Sequence, residues 1–147
     1  MAHAARRFLS EMCPGQVLAK LDFSNAFNTL RRDAMLEAAS QFVPDLLPYV
    51  ISAYGSASLL SFGDEKIESI EGIQQGDPLG PLLFCITTHK ALQSINSAFI
   101  SGYLDDVGVG GNVQSVIEDI QQLELEANEL GLRLNYSKCE IIGLDTH

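Results

Sequence analysis

Residues 102–111, GYLDDVGVGG, set two adjacent carboxylates, Asp105 and Asp106, in the middle of an apolar, glycine-rich run. An unpaired buried carboxylate is costly or takes up a proton, so this placement calls for a cation, a hydrogen-bonded turn or exposure. A third carboxylate, Asp22, closes the run QVLAKLD, 83 positions before Asp105. If the three converged they would repel one another unless a divalent cation lay among them. Magnesium suits such a set, because it takes a few carboxylates and fills its octahedron with water and substrate phosphate. Two such ions about 3.5–4 Å apart would clamp an in-line phosphoryl transfer, activating a 3′-hydroxyl and neutralising a leaving pyrophosphate. The plainer alternative is that the Asp-Asp pair is turn chemistry, since aspartate caps and tightens turns readily.

The elements around these residues decide whether convergence is feasible. QVLAKLDFS, residues 16–24, alternates in polarity and reads as a strand with Asp22 at its end, ahead of turn-forming Ser24 and Asn25. From Ala26 to about Phe42 the period turns helical, with Phe27, Leu30, Ala34, Ala38 and Phe42 near one face, until Pro44 stops it. PDLLPYVISAY reads as a second short helix. SLLSFGDEKIESIEGI reads as a hairpin about Gly63 and Asp64 that leads into a loop at Gln74–Pro78. GPLLFCITTHKALQSI has apolar residues around most of its circumference and predicts a largely buried helix, with His89 as a partly exposed helix residue.

SAFISGYLDDVGVGG then predicts strand, tight turn and strand, with the aspartates at the turn. Val113, Val116, Ile117, Ile120, Leu123, Ala127 and Leu130 form one helical stripe, and Glu118, Asp119, Glu124 and Glu129 lie off it as an expected solvated face. Gly131 is a helix stop, and LRLNYSKCEIIGL continues as one or two short strands. If the strand of Asp22 neighbours the hairpin of Asp105 and Asp106 in one sheet, the three carboxylates meet at one edge.

At 147 residues, 46% of them hydrophobic, the chain suits a single core. It has no long apolar stretch and no apolar secretory run at its start, which predicts a soluble intracellular protein, nuclear or cytoplasmic, with no membrane partner. Cys13, Cys85 and Cys139 stand far apart without metal-ligand spacing and read as reduced thiols. The net charge of −10 argues against a freestanding nucleic-acid binder, because phosphates are held mainly by Lys and Arg.

Four stretches together resemble the reverse transcriptases of non-LTR (LINE-type) retrotransposons. LDFSNAFNTLRRD resembles their motif A, GIQQGDPLGPLLF motif B, YLDD the Y-x-D-D box of motif C, and GLRLNYSKCEII motif D, in the family's order over roughly residues 17–142. The resemblance implies an α/β (α+β) polymerase palm, an antiparallel sheet with helices on one face. It implies RNA-directed DNA synthesis from dNTPs, with an RNA template, a DNA primer and two Mg2+ ions, Mn2+ being the alternative. Asp22 and Asp105 would be the principal metal ligands, Asp106 a supporting carboxylate and the Phe23 carbonyl an extra oxygen.

Ser24, Asn25 and Ala26 would offer backbone N–H groups to the triphosphate. Phe27 would exclude ribonucleotides by leaving no room for a 2′-hydroxyl, or is simply a core aromatic. Gln75 and Gly76 would touch the incoming nucleotide, though Q-G-D-P is also an ordinary turn before a helix. Lys138 would act on the departing pyrophosphate as general acid or electrostatic stabiliser, unless it is a surface lysine. Tyr103 would pack near primer or template, or serve structure alone.

Against the family pattern, residues 1–147 read as a partial reverse transcriptase domain, motifs A to D, without the start of the fingers and without the thumb. The acidic balance would follow if the basic, nucleic-acid-gripping parts lie outside it. Two rivals remain open at this point: an RNA-directed RNA polymerase palm, disfavoured by Y-L-D-D and Phe27, and a catalytically inactive truncated remnant.

Overall fold

The computed structural model describes residues 2–62 and 64–143. A four-stranded antiparallel sheet is its centre, in the order β4 (Phe99–Tyr103), β5 (Asp106–Asn112), β1 (Gln16–Asp22), β6 (Glu140–Gly143). Alternation along the strands separates two faces. Ala19 and Leu21 of β1, with Val107 and Val109 of β5, point to one face and are almost wholly buried. There they pack with Leu83, Phe84 and Ala91 of α5 (Gly80–Gln93) and with Val116, Leu123 and Ala127 of α6 (Val113–Glu129). Met35 and Ala39 of α3 (Arg32–Phe42) and Val50 of α4 (Leu47–Tyr54) join the same core.

The opposite face carries Leu18, Lys20 and Asp22 of β1 beside Gly110, Gly108 and Asp106 of β5. Its far end is covered by α1 (Ala2–Glu11), whose Phe8 stacks on Phe99 at 5.1 Å between ring centroids. A Cβ on Gly110 would lie 2.6 Å from the Phe8 ring, so glycine is what lets α1 approach there. The rest of this face, towards Asp22, is open, with Lys20 and Tyr103 exposed.

The antiparallel palm-type sheet with its helical layer matches the sequence expectation, as do the strand at 16–22, the helix stop before Pro44 and the hairpin β2 (Ser58–Phe62) and β3 (Glu65–Ser69). Gly63, expected in the turn of that hairpin, and Leu144 lie outside the described residues. Gly131 follows the end of α6 with φ +83°, and Leu134 forms an isolated bridge with Phe23 before β6.

Four readings are corrected. The helical period over Ala26–Phe42 is broken into a short α2 (Ala26–Thr29) and α3, because tertiary partners take the backbone groups a continuous helix would use. The Phe27 carbonyl accepts from Ile73 N–H at 2.6 Å, the Leu30 carbonyl from Gly72 N–H at 2.8 Å, and Arg31 N–H donates to the Leu130 carbonyl at 2.8 Å. Helix α5 is buried on one face only: Leu82, Cys85 and His89 are exposed, and His89 meets the Phe42 ring edge-on.

Asp119 is not part of a solvated face. It is buried, and its carboxylate accepts the Asn96 N–H, the Ser97 N–H at 2.7 Å and the Ser97 hydroxyl, fastening α6 to the segment that enters β4. The apolar stripe of α6 is also narrower than its period suggests, with Val113 and Ile117 exposed.

Candidate active site

The register of β1 against β5 sets Asp22 directly opposite Asp106, and that of β4 against β5 sets Tyr103 opposite Asp106. Tyr103, Asp106 and Asp22 therefore form one row across three strands on the open face. The Asp22 carbonyl is turned the other way, accepting Asn135 N–H at 2.8 Å. Asp22 and Asp106 are thus a non-hydrogen-bonded cross-strand pair, the kind in which side chains stand closest, with Cα atoms about 4.5 Å apart. Like charges placed so are destabilising, and no basic side chain forms an ion pair with either among the described residues.

Asp105 occupies the two-residue turn with Leu104, whose φ of +55° is a left-handed conformation rarely adopted by a branched apolar residue. Such a turn matches the strand twist of a hairpin, and Leu104 holds it while its side chain packs against the core. All three aspartates are half-buried. Among the described residues no three His, Cys, Asp or Glu side chains gather closely enough to enclose an ion by themselves. A facing pair of carboxylates nevertheless fits a magnesium ion that completes its shell with substrate phosphate and water.

Phe23 is buried and bridges Leu134, with Ser24 N–H bonded to the Arg133 carbonyl at 2.9 Å. Strand alternation turns the Phe23 carbonyl away from that bridge and towards the β4–β5 turn, the side on which Asp105 lies. The Ser24 amide, by contrast, is already engaged, which removes it from the amides expected to meet a triphosphate. Asn25 takes φ +51° and caps α2, which begins at Ala26.

Phe27 packs as the core-aromatic reading expects. It is half-buried, and its ring stacks on Phe84 at 5.0 Å and 3°. Gln75 and Gly76 are exposed beside it: Gln75 Nε2 donates to Asn28 Oδ1 at 3.4 Å, and Gly76 has φ +84° with open space where a Cβ would project. Lys138 is exposed in the turn Asn135–Cys139, its N–H bonded to the Asn135 carbonyl at 2.9 Å. Since Asn135 itself bonds Asp22, that turn is moored directly to the carboxylate row.

Sequence reasoning missed a second group. Asp77 Oδ1 accepts Leu79 N–H at 2.8 Å and the Tyr49 hydroxyl at 3.4 Å, and its Oδ2 accepts the Tyr54 hydroxyl. Burial, with the Asp77 carboxylate bonded to it, pushes the Tyr54 phenol up to about 12. Asp77 before Pro78 and a helix is a recognisable start signal, but nothing in the pattern links it to Tyr54.

The family model described as reverse transcriptase (RNA-dependent DNA polymerase) matches residues 3–145. The retrotransposable element SLACS 132 kDa protein of Trypanosoma brucei gambiense is 34% identical over 139 residues, which cover 86% of this chain and 12% of that protein. A Pol polyprotein from the retrotransposable element R2 of Bradysia coprophila is 29% identical over 146 residues, covering 86% of this chain and 16% of its own length. The chain thus spans less than a fifth of these relatives. Among solved structures, apo telomerase from Candida tropicalis superposes with a TM-score of 0.74 over 97% of this chain and 32% of its own, at 12% identity, a likeness of fold. The carboxylate row on an antiparallel sheet and the match over nearly the whole chain agree: this chain belongs to the reverse transcriptase (RNA-dependent DNA polymerase) family.

Proposed function

We propose that this chain is the catalytic palm of an RNA-directed DNA polymerase of a non-LTR retrotransposon, adding nucleotides from dNTPs to a primer 3′-hydroxyl on an RNA template. The observation that carries the reading is the pairing of Asp22 with Asp106 beside the Asp105 turn on the open sheet face, with Phe27 five residues after Asp22 and bonded to the segment that leads into Gln75 and Gly76.

Asp22, Asp105, Asp106 and the Phe23 carbonyl would hold two magnesium ions, which when bound neutralise charge on the attacking and leaving oxygens. The residues do the rest. Asn25 and Ala26 present backbone at a helix start, favourable to phosphate. Gln75 and Gly76 contact the nucleotide, Gly76 because a bare backbone at positive φ permits close approach. Phe27 bars the 2′-hydroxyl. Lys138 supplies a proton or positive charge to the pyrophosphate as it leaves. Tyr103, at the end of the carboxylate row, packs against the primer terminus.

The test is primer extension on RNA by the complete polymerase that carries this segment. Asp105→Asn abolishes extension, and Lys138→Ala lowers kcat with little change in KM, as expected for a contact made in the transition state. Near-normal turnover by Asp105→Asn would remove the aspartate from the catalytic centre, and efficient ribonucleotide use by the unsubstituted enzyme would favour an RNA polymerase instead.

A further inference from the structure

The loop that offers Gln75 and Gly76 is closed by one backbone bond of its own, Asp77 N–H to the Gln74 carbonyl at 3.2 Å, and both of its flanks also end on one phenol. The Tyr54 hydroxyl accepts Gln74 N–H at 3.2 Å and donates to the Asp77 carboxylate, so a single buried oxygen spans the two exposed residues between them. The Tyr54 ring is fixed in turn by Arg32, whose guanidinium lies 5.2 Å from the ring centroid. Arg32 is itself buried and fully directed: Nε donates to the Gly72 carbonyl at 3.0 Å, Nη1 to the Ser69 carbonyl at 2.7 Å and Nη2 to Ser69 Oγ at 2.9 Å.

On the other side the loop is keyed to the segment that carries Phe27. Ile73 N–H meets the Phe27 carbonyl, Gly72 N–H meets the Leu30 carbonyl, and a Cβ on Gly72 would fall 2.4 Å from the Asn28 carbonyl oxygen. Phe27 and Gln75 are therefore parts of one bonded assembly, and Tyr54 is the piece that closes it. The Tyr54 hydroxyl and the Asp77 carboxylate, with the Arg32 cation over the Tyr54 ring, stand behind a loop whose Gln75 and Gly76 are exposed. That is the arrangement of a support, since the bonds that start α5 at Asp77 and hold Ser69 and Gly72 through Arg32 meet at Tyr54, whose hydroxyl reaches both flanks of the Gln75–Gly76 loop.

We propose that Tyr54, held by Arg32 and Asp77, is a positioning residue that sets the Gln75–Gly76 loop against Phe27, and so sets both the affinity for the incoming nucleoside triphosphate and the choice of its sugar. This rests on the polymerase reading above. Tyr54→Phe is the informative change, because it removes one oxygen and leaves the packing of the ring and its contact with Arg32.

Two measurements test it. In the 147-residue chain, amide hydrogen exchange of Tyr54→Phe shows loss of protection at Gln74 and its loop neighbours, with Leu21 and Val107 in the sheet unchanged. In the complete polymerase, Tyr54→Phe raises KM for dNTP by about tenfold, the scale of losing a hydrogen bond to a charged group, with a smaller change in kcat and a relaxed preference for deoxynucleotides. Asp77→Asn, which retains one acceptor oxygen, falls between Tyr54→Phe and the unsubstituted enzyme. An active polymerase in which Tyr54→Phe leaves KM and sugar preference unaltered overturns the proposal. If the unsubstituted polymerase fails to extend any primer, the polymerase reading falls, and unchanged exchange at Gln74 would then independently overturn the positioning role of Tyr54.

Discussion

At the residue scale, Phe27 is a core aromatic that the proposed function also sets against the substrate sugar. Its ring stacks on Phe84 in the hydrophobic interior, it is only half-buried, and its carbonyl is bonded to Ile73 ahead of the Gln75 loop. Phe27→Val therefore has two separable consequences. It lowers folding stability by about 2 kcal/mol, from lost aromatic stacking and an incompletely collapsed cavity, read by urea titration. It also admits ribonucleotides while deoxynucleotide use persists, read by competing the two substrates in primer extension. Unchanged sugar discrimination would return Phe27 to the core alone.

Tyr54 supplies a pH signature at the same scale. Its folded pKa of about 12 lies above the usual tyrosine value near 10, so folding favours the protonated phenol. The resulting stability is fully present below pH 10 and is lost as pH rises through about 12. Tyr54→Phe removes this loss, so its alkaline unfolding curve flattens across that window relative to the unsubstituted chain.

At the element scale, periodicity made most of the fold legible, because a strand or helix with one buried face must repeat its apolar residues with its own period. What it could not show were elements decided by distant hydrogen bonds. The break between α2 and α3 depends on Gly72, Ile73 and Leu130 capturing the backbone at Phe27, Leu30 and Arg31. Asp119 was unreadable for the same reason, since its partners Asn96 and Ser97 lie on another element and an acidic residue off an apolar stripe ordinarily faces water. Arg32, which lies off the apolar face of its helical pattern, is likewise buried in the fold.

The aspartates at the hairpin and strand end were legible because turn chemistry and strand ends are local. Their pairing across β1 and β5 was not, and only the register supplies it. Asp119→Ala should cost about 2 kcal/mol, because it strands the buried Ser97 amide and hydroxyl and loses a charge-assisted bond to the Asn96 amide. Asp119→Asn, which keeps an acceptor, should cost less. Equal stability of Asp119→Ala and the unsubstituted chain in urea denaturation would show that α6 is held by apolar packing alone.

At the scale of the whole molecule, charge governs what this chain can do unaided. It has 9 Lys and Arg against 19 Asp and Glu, and several of the nine are already committed. Arg7 pairs with Glu11, Arg31 with Asp33, and Arg32 is buried against Ser69 and Gly72. Lys20 and Lys138 remain exposed near the carboxylate row, but duplex affinity grows with the number of phosphates neutralised together, and two cations among facing aspartates cannot neutralise many. The 147-residue chain by itself should therefore bind primer–template weakly and fail to extend it even with magnesium. A polymerase that joins it to basic flanking sequence should bind with a steep salt dependence and extend. Filter binding at low and moderate salt separates the cases: tight binding by the chain alone would mean that the open face of the sheet grips nucleic acid through uncharged contacts, and that the acidic balance does not limit it.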